Sequence, residues 1–144
     1  MIHLTEEMHE LINNALPNGT PCIIATASRD GVPNVGFRGS MMVFDDESLA
    51  YWERGRRSSL EHILENPKVV VLFRHPGKRV AWKFRCIASV HDDGPIHKQV
   101  MARTVEPELA RDPERKGVAV VLRVDQIVTL AGEVLQERVP NLRW

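Results

Sequence analysis

Residues 80 to 90, Val80-Ala81-Trp82-Lys83-Phe84-Arg85-Cys86-Ile87-Ala88-Ser89-Val90, alternate with a period of two. One face reads Val80, Trp82, Phe84, Cys86, Ala88, Val90 and the other Ala81, Lys83, Arg85, Ile87, Ser89, His91. A helix would scatter these residues around its surface, whereas a strand sorts them onto two sides. The segment therefore reads as a long strand with one face buried and the other partly wet.

Shorter apolar runs divided by turn residues surround it. Cys22 to Ala27 and Val35 to Phe44 flank Asp30-Gly31, a hairpin signal. Leu49 to Trp52 follows Asp45-Asp46, and Val69 to Phe73 precedes the tight turn His75-Pro76-Gly77-Lys78. Gly117 precedes two further strands, Val118 to Val124 and Ile127 to Leu130. Helices are few and short. Residues 5 to 16 place Met8, Leu11, Ile12, Ala15 and Leu16 at helical spacing behind a Thr5 cap, and Pro17-Asn18-Gly19 stops them. Ser58 with Glu61 forms a capping-box pattern before Leu60, Ile63 and Leu64, and Asn66-Pro67 ends that helix. Pro95 sits in the first turn of a third, and residues 105 to 116 read as a short helix and loop.

Six or seven strands joined mostly by tight turns, with helices in irregular order, predict a mainly β fold: a six-stranded antiparallel split β-barrel of Greek-key type with helices packed outside. Strict strand-helix alternation is absent, so a doubly wound parallel sheet is not expected. At 144 residues the chain is expected to form one domain spanning residues 1 to 144, with a core that needs no disulfide or metal. Cys22 and Cys86 make no disulfide framework and read as buried, inert thiols, and the six histidines show no ligand spacing, so no metal is assigned. The start lacks a signal-peptide pattern and no stretch nears the roughly 20 apolar residues of a membrane span, so a cytoplasmic, non-membrane protein is expected.

Charge is balanced, with 19 Lys and Arg against 19 Asp and Glu, yet it is segregated. Residues 54 to 85 hold nine bases and two acids, a net of +7. The segment Tyr51-Trp52-Glu53-Arg54-Gly55-Arg56-Arg57-Ser58-Ser59 runs from a strand through a basic turn into a capped helix start. Unpaired amide hydrogens at a helix start attract anions, arginine forks match phosphate oxygens, and serine hydroxyls add donors. The turn is thus either a phosphate cup or ordinary solvated surface. In Asn34-Val35-Gly36-Phe37-Arg38-Gly39-Ser40-Met41, two glycines bracket Phe37-Arg38. Glycines in a strand mark either a place where something approaches the backbone closely or a barrel corner.

The ordered set of features resembles the FMN-binding split barrels, the superfamily of pyridoxamine 5′-phosphate oxidase and the small bacterial FMN-binding proteins. It comprises the initial helix, the Asp-Gly hairpin, the basic turn opening a helix that ends in Asn-Pro, two long strands and Asp-Gly-Pro. The likeness covers roughly residues 5 to 130, and Phe84-Arg85-Cys86-Ile87-Ala88-Ser89-Val90-His91-Asp92-Asp93-Gly94-Pro95 is especially close to the small FMN-binding proteins. The resemblance implies FMN as cofactor, its phosphate held by Arg57 and Ser58 with Arg56 beside them. It implies that Gly36, Phe37, Arg38, Gly39 and Ser40 lie along the flavin ring, and that Trp82 and Lys83 at the start of the long fifth strand complete the site. It also implies a homodimer with FMN at the interface. The ending Leu142-Arg143-Trp144 matches the oxidase's C-terminal arginine segment only loosely.

The expected function is that of an FMN-binding flavoprotein, an oxidoreductase of the pyridoxamine 5′-phosphate oxidase type acting on a small substrate or electron partner. The alternative is a flavin- or haem-binding module or electron carrier that turns nothing over. In either, the flavin performs the redox chemistry and no protein acid or base is named as catalytic. Arg38, if aimed at the ring edge, would stabilise the anionic reduced flavin. A nucleic-acid partner is not expected, because the bases gather around one strand-helix turn rather than along a groove. Residues 105 to 114, with Arg111 to Arg115, read as a solvated face.

Overall fold

A computed structural model describes residues 1–55 and 58–144. Helix α1 (Glu6–Asn13) begins where the Thr5 hydroxyl accepts the Met8 amide at 3.2 Å, and it buries Met8, Leu11 and Ile12. The strands are β1 (Cys22–Ala27), β2 (Pro33–Arg38), β3 (Met42–Asp45), β4 (Ser48–Glu53), β5 (Lys68–His75), β6 (Val80–His91), β7 (Val118–Val128) and β8 (Val134–Glu137). Helix α2 (Ser58–Glu65) links β4 to β5, and α3 (Gly94–Arg103) and the one-turn α4 (Glu106–Leu109) lie between β6 and β7.

All strand pairs are antiparallel, in the order β2-β1-β5-β6-β7-β4-β3, with β8 added to β7. The sheet curls into a split barrel around one main core. Its inner face carries Cys22 and Ile24 of β1, Val69, Val71 and Phe73 of β5, Trp82, Phe84 and Cys86 of β6, and α1 packs against it. A smaller cluster of Met42, Ala50, Trp52, Ala119 and Val100 lies where α3 covers the outside of β4 and β7. Among the described residues no helix is long and apolar enough to cross a membrane.

The expected split barrel is present, with eight strands in place of six. The run Val35 to Phe44 divides into β2 and β3 because the chain turns at Gly39-Ser40, where the Met41 amide bonds the Arg38 carbonyl at 3.2 Å. The two strands expected between Val118 and Leu130 are one, β7, because Gln126 and Val124 both pair with β6 across a bulge at buried Asp125. Strand β8 was not anticipated: Val134-Leu135-Gln136-Glu137 has no buried face to create alternation.

The long strand is as expected, with Ile87 buried on its wetter face as well, and the bulge opposite Arg85 and Cys86 falls on β7, where Asp125 is the extra residue. Both cysteines are free and buried, and burial pushes the Cys22 thiol up to about 12.

Candidate functional site

The two ends of the curled sheet meet where β2 runs out against β4. The Ser40 hydroxyl accepts the Trp52 amide at 3.0 Å and donates to the Trp52 carbonyl at 3.1 Å, stitching the turn after β2 to the end of β4. Two residues back, Arg38 Nη2 donates to Glu53 Oε2 at 3.1 Å, with both side chains largely covered. This seam opens into a cavity of about 490 Å³, walled by Phe37 to Ser40 from β2 and its turn, Trp52 to Gly55 from β4, and Glu108 and Arg111 from beyond α3. A second cavity of about 160 Å³ shares Arg38, Glu53 and Gly55 with it and reaches Ser59 at the start of α2.

Three buried polar atoms in this region have no hydrogen-bond partner among the described residues: Arg38 Nε, Tyr51 Oη and Ser59 Oγ. Buried donors normally find acceptors, so three orphans in one neighbourhood are unusual. The Arg38 guanidinium lies over the Tyr51 ring at 5.6 Å. Burial pushes the Tyr51 phenol well above its ordinary value and the Glu53 charge adds to this, while Arg38 and Ser59 oppose it. Burial likewise raises Glu53, against the pull of Arg38 and Arg54.

On the far wall, Arg54 Nε pairs with Glu108 Oε2 at 3.2 Å. Trp52 Nε1 donates to Asp112 Oδ2 at 2.9 Å, and Asp112 also accepts the Lys116 and Gly117 amides at 2.9 and 2.8 Å. Burial pushes the Asp112 carboxyl up, but those two amides, the Trp52 indole and the Arg115 charge outweigh it and hold the carboxyl below its ordinary value. Most of the 105 to 114 stretch is the solvated face expected, but Glu108, 14% exposed in its side chain, and buried Asp112 turn inward.

Of the ten residues singled out in the sequence, the structure gathers Phe37, Arg38, Gly39 and Ser40 at the cavity. Gly36 lies on β2, within 3.3 Å of the Arg38 guanidinium for any added methyl. Ser58 is the first residue of α2 rather than a residue preceding it; Arg56 and Arg57 lie outside the described residues. Trp82 stacks on Phe73 inside the core, with ring centroids 5.6 Å apart. Lys83 points to the opposite face of β6, and neither residue lines the cavity of its own chain. Sequence reasoning missed Glu53, Tyr51 and Ser59 as site residues, although all three lie in the segment it marked. Nothing local signals Glu108 or Arg111.

A phosphate-bearing cofactor such as FMN fits the α2 end of this site, because Arg38 and Ser59, both donors, line the small cavity beside a helix start. At the other end, the space over Gly39 holds the Glu108 carboxylate, which a methyl on Gly39 would overlap. A flat ring can lie there only when that flexible side chain swings away.

Curled antiparallel sheet and seam cavity together define the split-barrel class of fold. The profile of pyridoxamine 5′-phosphate oxidase matches residues 4–130, and the chain belongs to that family. An uncharacterized protein of Methanocaldococcus jannaschii is 33% identical over 132 residues, 90% of this chain and 83% of that one. Among solved structures, a putative pyridoxamine 5′-phosphate oxidase from Lactobacillus delbrueckii is 29% identical with a TM-score of 0.68, over 88% of this chain and 94% of that one. An FMN-binding protein of Syntrophomonas wolfei shares the fold at 14% identity and TM-score 0.64, over 86% of each chain. HutZ, the heme storage protein of Vibrio cholerae, does so at 16% identity and TM-score 0.68, over 92% of this chain and 98% of that one.

Proposed function

We propose that this protein binds FMN at the seam cavity and acts as an FMN-dependent oxidoreductase on a small substrate or electron partner. The observation that carries this reading is the small cavity at the start of α2, where Arg38 and Ser59 each bring a buried polar atom that has no hydrogen-bond partner among the described residues. Such atoms are costly to bury alone and become favourable when a phosphate accepts from them. Ser58 and the basic pair Arg56 and Arg57 extend the same anion site in the sequence. When bound, the flavin supplies the redox chemistry itself. The chain binds the phosphate, holds Arg38 close to Glu53, and shields the cavity with the Trp52 side. Because Glu53 neutralises much of Arg38, the arginine acts on a ligand as an oriented dipole more than as a free charge.

A haem-binding module is the rival, supported by the fold shared with HutZ. Favouring the flavin, the described cavity walls offer arginines and a serine hydroxyl, and none of them is the His, Cys, Met or Tyr that holds haem iron. The working unit in this reading is a homodimer. Strand β2 ends the sheet order, so its outer edge has no neighbour, and Val35 and Phe37 stand 68% and 66% exposed on it. Phe37 also walls the cavity, so a second copy on this edge would cover the ligand.

The purified protein is expected to carry a flavin absorption band or to take up added FMN. A Soret band would select haem, and a colourless protein that rejects FMN would overturn the flavin reading in both its forms. Oxidation of NADH or NADPH by the flavin-loaded protein distinguishes the oxidoreductase from a carrier. Ser59→Ala is expected to weaken FMN binding roughly tenfold by removing one donor.

A further inference from the structure

We propose that Glu108 is a built-in competitor for the cavity's anion site, occupying Arg54 and the space over Gly39 until an anionic, flat ligand displaces it. The inference rests on the flavin reading for its choice of ligand, but its geometry stands on the ligand-free chain. The cavity walls carry three arginines, of which Arg38 is spent on Glu53 and Arg54 on Glu108. A ligand anion gains a second guanidinium only by displacing a carboxylate. Glu53 sits on β4, its backbone paired across the sheet to Val118 and its side chain 12% exposed against Arg38. Glu108 is the tip of a flexible side chain on the single turn α4.

The segment bearing α4 is fixed at both ends, and in its middle Leu109 packs on the smaller core cluster while Glu108 faces the cavity. Its start is tied by the Thr104 hydroxyl to the Val100 carbonyl at 2.7 Å, and its end by Asp112, which gathers Trp52, Lys116 and Gly117. Between them, the one ion pair to the cavity among the described residues is Glu108 with Arg54, whose side chain is 39% exposed. Pairs that open to solvent are weak and exchange readily with another anion. Gly39 matters for the same reason, since a larger residue would expel the Glu108 carboxylate permanently. Displacement would release Arg54 to the ligand phosphate or carboxylate and uncover Gly39 for a ring.

The test pairs hydrogen exchange with ligand affinity in Glu108→Gln and Arg54→Gln. Without ligand, both variants are expected to exchange the α4 amides faster than the wild type, and unchanged exchange in both overturns the proposal. With FMN, Glu108→Gln is expected to bind at least threefold more tightly, and Arg54→Gln to bind more weakly and to abolish the gain in the double variant. Equal or weaker FMN binding by Glu108→Gln, in a wild type that binds FMN, overturns it. Should no variant take FMN, the flavin reading fails, and pyrophosphate becomes the probe. Faster α4 exchange in the wild type on adding pyrophosphate then supports the competitor, and no change removes it.

Discussion

Asp112 shows how one buried carboxylate sets the shape of the cavity wall. It accepts three hydrogen bonds, and Gly117 beside it has to be glycine because any methyl there would strike the Trp52 ring and the Glu53 carbonyl. Asp112→Asn turns one accepting oxygen into a donor facing an amide hydrogen, so about 2–3 kcal/mol of stability should be lost at neutral pH. The folded carboxyl lies below its unfolded value, so its contribution is complete above the ordinary carboxylate pKa of about 3.9 and disappears as pH falls through the lower, folded value. Chemical denaturation of both proteins from pH 7 to pH 3 should therefore show the gap between them narrowing at the acid end. The Thr5 cap was legible in the sequence because capping is local. Asp112 was not, because its partners Trp52 and Gly117 are close to it in space while Trp52 is distant in the chain.

At the scale of elements, β7 and the chain's last residues depend on a second buried carboxylate. Asp125 is fully buried in β7; its Oδ2 accepts the Arg143 and Trp144 amides at 2.5 and 3.0 Å, and Arg123 and Arg138 flank its Oδ1 at 3.1 and 3.4 Å. Lys68 of β5 lies over the Trp144 ring at 5.9 Å, so the tail is laid across the sheet. Removing this carboxylate takes the counter-charge from Arg123 and the acceptor from the two tail amides, while Arg138 keeps Glu47 at 2.8 Å, and Asp125→Ala should cost about 3 kcal/mol. Deleting Arg143 and Trp144 leaves Asp125 its two arginines and should cost only about 1–2 kcal/mol. Urea denaturation of the two variants separates these outcomes. The strands β1, β4, β5 and β6 could be read from sequence because each alternates or runs apolar over its length. Strand β8 could not, since a strand added at the rim with both faces partly wet carries no periodic signal.

For the whole molecule, the open edge of β2 is the feature that a single chain leaves unresolved. Phe37 and Val35 expose apolar area on an unpaired strand, an arrangement that proteins usually cover or blunt with charge. The proposed homodimer predicts that Phe37→Asp shifts sedimentation from dimer to monomer. The same variant should also weaken FMN binding, because Phe37 walls the cavity. A wild type that sediments as a monomer at all working concentrations would remove the dimer while leaving the cavity intact. The +7 block takes on a different meaning at this scale. Among its described bases only Arg54 reaches the cavity, while Lys68, Arg74, Lys78 and Arg79 stand exposed on the β5–β6 hairpin and its turn.

The sequence by itself determined the strand periods, the turns at Gly31 and Pro76, the helix caps and the strand-to-helix step after Trp52, because each follows from a few neighbouring dihedral angles and from which side chains avoid water. The tertiary structure alone decided that Trp82 would stack on Phe73 in the core, that Glu108 and Asp112 would turn inward from the surface, and that Arg38 and Ser59 would meet at one small cavity. Those outcomes depend on how far the sheet curls before its ends meet, a property of all the strands packed together that no local stretch of residues encodes.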